Sequence, residues 1–297
     1  MFTFGPVNSR RFGISLGIDL SPDAKSCNFD CVYCELKGAK PVYSIKTPPK
    51  VQDIVDEVKK AIKTYHDIEV ITITSNGEPT LYHDIKKLVD ELNKIKQDKK
   101  LLILSNGSNI VDALYDIDIV KLSLDCVSQR CFKKIDRPLK DLDIDKIVKN
   151  IKDFSTKYQG TLIIEVLLVK GINDKEDEII KLNQLLQEIN PSRVDIGTID
   201  RPPAYEVKPV SEERIKELSN LFTNLPISII YKNPPKSKED FSKEQILNLL
   251  AHRPQSQFDV DTFFSEKSKQ ILQKLVDDGE VNVVDVAGSK FFKKLSS

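Results

Sequence analysis

Residues 69–81 read EVITITSNGEPTL. A short run rich in β-branched side chains breaks abruptly into a polar turn carrying Asn76, Gly77, Glu78 and Pro79. Such a run, bounded by turn residues, predicts a buried strand. Its polar residues gather at the carboxyl end. The same construction recurs to either side, in FGISLGIDL (12–20), KLLILS (100–105), IVKLSLD (119–125), TLIIEVLLV (161–169) and RVDIGTI (193–199). Stretches of helical period lie between them, over 51–65, 82–96, 143–157 and 175–189. In the first of these, Val51, Ile54, Val55, Val58 and Ile62 share one face. The alternation predicts an α/β fold with parallel strands, covered by helices on one face and meeting a filled interior on the other. Six strand–helix units in about 220 residues fall short of the ~250 of an eight-unit barrel, so the choice is a partial barrel or an open doubly wound sheet. Both collect ligands at the carboxyl ends of the strands, where SNGEP, SNGS (105–108) and Asp125 stand. One shared cleft is expected there.

The loop after the first of these strands contains KSCNFDCVYCE (25–35), with Cys27, Cys31 and Cys34 inside eight residues. Three thiolates on a short loop suit iron–sulfur ligation. Zinc is the rival, but it needs a fourth ligand or a water, and His66, His83 and His252 are all remote in sequence. Cys126 and Cys131 lie outside the cluster and are expected to be free structural thiols, with a hydrogen-donating or redox thiol as the alternative.

Composition sets outer bounds. The 297 residues carry 45 basic and 45 acidic side chains, so no global field draws in nucleic acid, although a local patch for tRNA stays open. No apolar window reaches membrane-spanning length, and the arginines of MFTFGPVNSRRFG sit where a signal peptide would be apolar. A cytoplasmic location without membrane contact is the expectation. The stretch YKNPPKSKEDFSKE (231–244) marks a linker, placed at 233–242, between a core of residues 1–232 and a module of residues 243–297. That module reads as three helices and a hairpin, the order of a winged helix. Its eight basic and nine acidic side chains from Asp240 to Ser297 favour packing or partner binding over DNA contact.

Two motifs carry a family resemblance. CNFDCVYC matches the CxxxCxxC loop of the radical S-adenosylmethionine (radical SAM) enzymes, with Tyr33 as the aromatic residue before the last cysteine. SNGEPTL (75–81) is similar to that superfamily's Gly-Gly-Glu-Pro motif, with Asn76 standing where the first glycine is usual. The opening GPVNSRRFGISLGIDL resembles the iron–sulfur oxidoreductase branch related to the tRNA-wyosine synthesis enzymes. The resemblance spans roughly residues 1–230 and implies a partial (β/α)6 TIM-like barrel.

It further implies that Cys27, Cys31 and Cys34 hold a [4Fe-4S] cluster whose fourth iron is chelated by S-adenosyl-L-methionine. One electron, from a donor such as flavodoxin or ferredoxin, would then release a 5'-deoxyadenosyl radical that acts on an unidentified tRNA, peptide or small molecule. Gly77, Glu78 and Pro79 would support the methionyl amino group, and the backbone around Tyr33 would meet the adenine. Ser123 and Asp125 would reach the ribose, with Asn106 and Glu165 as further cofactor contacts; for Glu165 a structural ion pair is the alternative. DRPPA (200–204) is read as a rigid turn at the cleft rim, and Arg10 and Arg11 as either anion-binding or solvated.

Overall fold

In the computed structural model, which describes residues 1–9, 11–229, 238, 240–252, 254–286 and 289–295, one eight-stranded sheet organises the first 229 residues. Its strands are β1 (Thr3–Ser9), β2 (Gly13–Asp19), β3 (Val70–Thr74), β4 (Lys100–Ser105), β5 (Ile119–Ser123), β6 (Thr161–Leu168), β7 (Arg193–Thr198) and β8 (Ile227–Ile229), neighbours in that order. β2 through β8 run parallel; β1 turns back against β2. The six anticipated strands are β2–β7. The edges β1 and β8 complete the sheet.

The strand faces divide by period two. Ile18, Ile71, Ile73, Leu101, Ile103, Leu122, Ile164, Val194 and Ile196 are all buried in the core shared with the helices. That layer includes α1 (Val51–Thr64), α2 (Ile85–Ile95), α3 (Gln129–Ile135), α4 (Ile144–Ser155), α5 (Glu176–Ile189) and α6 (Glu212–Ser219). α1 buries Val51, Ile54, Val55, Val58, Ala61 and Ile62, the face its spacing predicts. The opposite sheet face is not filled with apolar side chains. It carries Ser15 and Asp19 on β2, Thr72 on β3, Lys121 on β5, Glu165 on β6 and Asp195 on β7. Leu102 and Leu104 on β4 and Leu167 on β6 share this face, and the space it encloses is lined by apolar and polar side chains together.

Beyond it lie α7 (Lys243–His252), β9 (Gln255–Ser256), α8 (Gln257–Phe263), α9 (Glu266–Asp277), β10 (Val281–Val286) and β11 (Ser289–Lys294), with β11 between β10 and β9. They enclose a second core that includes Ile246, Leu250, Phe264, Leu272 and Leu275, against which Val7 of β1 packs. Asn248 also donates to the Thr3 carbonyl (3.3 Å), and Gln245 to the Tyr65 hydroxyl (2.5 Å). Most of the linker expected at 233–242 lies outside the described residues. Among the described residues no helix is long and apolar enough to cross a membrane.

One expectation is overturned. Cys126 and Cys131 are not free thiols but a disulfide. The turn from β5 into α3, capped where Ser128 Oγ accepts from the Cys131 N–H, brings their Cα atoms to 5.7 Å, inside the range a disulfide spans. Spacing in sequence does not reveal that turn.

Candidate functional site

The cysteine loop leaves the carboxyl end of β2 and is fixed to the SNGEP turn main chain to main chain. Ser26 N–H donates to the Asn76 carbonyl (2.8 Å), and Glu78 N–H to the Ser26 carbonyl (2.9 Å). Gly77 is obligatory at this junction. Its φ is +144°, and a Cβ there would stand 1.8 Å from the Ser26 carbonyl oxygen. Below the junction Asp19 Oδ1 accepts from Ser21 N–H and Asn76 N–H, both at 2.8 Å, so one carboxylate sets the start of both loops.

Glu78 does not point into open space. Its carboxylate accepts from Thr80 N–H (3.0 Å), Thr80 Oγ1 (2.7 Å), Ser105 Oγ (2.8 Å) and Asn106 N–H (2.7 Å), tying the ends of β3 and β4 together. Burial raises its pKa even so. Both Glu78 oxygens are thus taken up by the protein itself.

The three motif cysteines are free thiols around a cavity of about 230 Å3. The cavity is also lined by Tyr33, Gly77, Glu78, Asn106, Ser123 and Glu165. Of the residues singled out from sequence, these six therefore converge with the cysteines. Pro79 and Asp125 do not line it. Asp125 accepts from the Tyr33 hydroxyl (2.6 Å) through Oδ2 and from Leu167 N–H (2.7 Å) through Oδ1, so both carboxylate oxygens are engaged. Burial lifts this carboxyl to about 7, against the opposing pull of the Tyr33 bond.

Burial likewise pushes the Cys27 thiol up to about 12, with the Glu78 charge adding to it, and raises Cys31 and Cys34. Counterweights are at hand. Phe29 N–H (3.4 Å) and Asn106 Nδ2 (3.8 Å) donate to the Cys27 sulfur, and the Lys25 ammonium opposes the rise at Cys34. Cys31 Sγ donates to Asp136 (3.4 Å). Among the described residues, the one His/Cys/Asp/Glu trio whose ligand atoms all lie within 4.8 Å of one another is Cys126, Cys131 and Glu178.

A second chamber of about 550 Å3 adjoins the first and shares Tyr33, Cys34, Lys121 and Glu165 with it. Glu165 faces both spaces and is also ion-paired to Lys121 (2.5 Å), so the two readings of it coexist. Arg11 is not a solvated cation: it bonds Asp195 and, at 2.7 Å, the Ser228 hydroxyl. Arg10 lies outside the described residues. Asp200 and Arg201 of the DRPPA turn line the chamber's rim, where Arg201 pairs with Glu35 at 3.4 Å. Leu249, Gln255 and Phe264 contribute from the C-terminal elements.

Lys121, Asp136 and Asp195 were missed as site residues. Lys121 and Asp195 had a signal, since each puts a charge into an apolar strand, as Glu165 does. Asp136 follows a short helix and had none.

The sequence profile of the radical SAM superfamily matches residues 22–182, which include both loops. A Helicobacter pylori relative, a UPF0026 protein, is 37% identical over 97% of this chain and 96% of its own. Streptococcus suis SuiB bound to S-adenosylmethionine superposes with a TM-score of 0.55 at 19% identity, covering 73% of this chain and 51% of SuiB. The chain thus spans about half of SuiB's length, and that likeness concerns the fold. An archaeal TYW1 superposes at a TM-score of 0.47 and 13% identity, over 94% of this chain and 78% of TYW1, and gives the tRNA-wyosine kinship no weight. Cysteine loop, SNGEP turn, sheet order and profile agree: the chain belongs to the radical SAM superfamily.

Proposed function

We propose that Cys27, Cys31 and Cys34 hold a [4Fe-4S] cluster, that the 230 Å3 cavity beside them seats S-adenosylmethionine, and that the adjoining chamber receives the substrate. The convergence of three free thiols on one cavity, on a loop bonded main chain to main chain to the SNGEP turn, carries this reading. Three thiolates suit one corner-open iron–sulfur cluster. When bound, the cluster and S-adenosylmethionine together supply reductive cleavage of the sulfonium to a deoxyadenosyl radical that abstracts hydrogen.

The protein's own part is positioning. Glu78 anchors its turn by four hydrogen bonds, and Gly77 and Glu78 line the cavity. Phe29 N–H and Asn106 steady the Cys27 sulfur, and Lys25 favours the thiolate at Cys34. Ser123 and Glu165 remain the candidates for polar contacts to the cofactor, while Tyr33 and Asp125 hold each other.

Residues 243–297 are read as a winged-helix-like module that closes one side of the substrate chamber. A space of about 550 Å3 is on the scale of a small molecule or one protruding residue of a larger one. The electron donor is of the flavodoxin or ferredoxin class.

Anaerobic reconstitution tests the reading. About four irons per chain and deoxyadenosine on reduction are expected, and both should be lost when Cys27, Cys31 and Cys34 become alanine. Stoichiometric zinc with no deoxyadenosine overturns it. Metabolite and tRNA-nucleoside profiling of a deletion strain would then identify the substrate.

A further inference from the structure

The Cys126–Cys131 disulfide has no part in the cavities described above, yet it sits at one end of the element that braces the cysteine loop. Cys126 follows β5 and is 1% exposed; Cys131, in the first turn of α3, is 8% exposed. Glu178 of α5 closes the group from outside, its Oε1 accepting from Val127 N–H (3.0 Å) and from Ser128 N–H and Oγ (both 3.4 Å). Only seven residues long, α3 delivers its other end to the motif. The Ile135 carbonyl accepts from Val32 N–H (2.8 Å), the Asp136 carbonyl from Asp30 N–H (3.0 Å), and Asp136 Oδ1 from Cys31 Sγ (3.4 Å). Just beyond, Leu139 N–H donates to the Asn28 carbonyl (3.0 Å), while Phe132 meets Phe29 edge-on at 5.2 Å. Residues 28–32 are thus held by a helix whose far end is about 10 Å away, at 1.5 Å per residue, and is covalently tethered to β5.

We propose that Cys126–Cys131 is a thiol–disulfide exchange site that sets the position of α3 and, through it, of the loop carrying Cys27, Cys31 and Cys34. Bonded sulfurs stand about 2 Å apart, while two thiols need nearly twice that. At a site this buried the difference has to be taken up by moving the first turn of α3 against β5, because close-packed interiors do not absorb such a change in place. The motif loop follows through the bonds at Ile135 and Asp136.

The exchanging partner is a dithiol of the thioredoxin class. Both sulfurs are buried, so exchange follows local opening of the first turn of α3; the partner's thiolate then attacks Cys131, the less buried of the two, forming a mixed disulfide and releasing Cys126 as a thiolate. The partner's second thiol then displaces Cys131 and departs as a disulfide. Two electrons and two protons have passed to Cys126 and Cys131. Any effect on a bound cluster rests on the function proposed above; the movement of the loop does not.

The test uses the full-length chain purified without iron and without reductant, before and after thioredoxin treatment. Differential alkylation should find three reactive cysteines before reduction and five after. Amide hydrogen exchange across residues 26–35 should accelerate roughly threefold or more on reduction. A Cys126→Ala/Cys131→Ala chain should exchange like the reduced form and ignore thioredoxin. If that variant does not fold, the wild-type comparison decides alone. Five alkylated cysteines at the outset, identical exchange in both forms, or one zinc per chain held by Cys126, Cys131 and Glu178 would each overturn the proposal. Exchange that responds while neither form takes up iron upholds the switch and rejects the cluster assignment instead.

Discussion

At the scale of single residues the site is governed by contacts too close to alter. Gly77 has a carbonyl oxygen where any other residue would place Cβ. Gly77→Ala is therefore expected to lose roughly 3 kcal/mol of stability, through forced separation of the cysteine and SNGEP loops. A denaturant midpoint would show it, and iron retention after reconstitution should fall with it. Unchanged values for both would mean the two loops are not interdependent. Asp125 makes a different argument, based on pH. Burial raises its folded-state pKa to about 7 from an ordinary 3.8, so the folded chain binds a proton that the unfolded chain does not between those values. Stability from this group is present at low pH and is lost as pH rises through 7. Asp125→Asn keeps partners for Tyr33 and Leu167 but cannot titrate. The variant should show a flatter stability profile than wild type between about pH 4 and 7, and parallel profiles would refute the assignment.

At the scale of elements, the strands with dense apolar runs were legible from sequence because burial against helices demands them: β3, β4, β6 and β7 lie within a residue or so of their expected ends. β1 was not, since TFGPVNS contains a Gly-Pro step and pairs irregularly at the sheet edge. β8 has three half-buried residues, too few to establish a period, and α3 and α6 are similarly short. The site showed the same split. Cys27, Cys31 and Cys34 announced themselves by spacing and Gly77 by the resemblance of its turn to the superfamily motif, whereas the engagement of Asp125 by Tyr33 and the Cys126–Cys131 bond depend on how the β5–α3 turn folds. Asp143 caps α4 by accepting from Asp145 N–H (3.0 Å) and Lys146 N–H (3.2 Å). Asp143→Ala should cost about 1 kcal/mol in chemical denaturation. Iron binding should be unaffected, because the cap is exposed and distant in the chain from the cysteine loop. A loss of iron would show that α4 supports the site more directly than its contacts indicate.

At the scale of the whole molecule, the question is what holds a sheet of eight strands in a curl when its ordered pairing stops at β1 and β8. Side chains span the gap that main-chain bonds leave. Arg11, at the start of β2, reaches Asp195 on β7 and Ser228 on β8. Asp195 is fully buried and gathers three cations, Arg11, Arg193 (2.7 Å) and Lys121 (3.5 Å), and Lys121 passes the connection on to Glu165. A buried pair of this kind does not stabilise a fold much beyond an apolar replacement, but losing one partner leaves uncompensated charge. Asp195→Asn should accordingly cost about 3 kcal/mol, measured as a shift of the denaturant midpoint at unchanged slope. Adding Arg11→Met to that variant should recover part of the loss, since it removes a stranded cation, and the double-mutant cycle would measure the coupling across the seam. If the two substitutions are simply additive, β2 and β7 are kept together by helix packing and the C-terminal core leaning on β1, and the charges inside the curl do not bridge the seam.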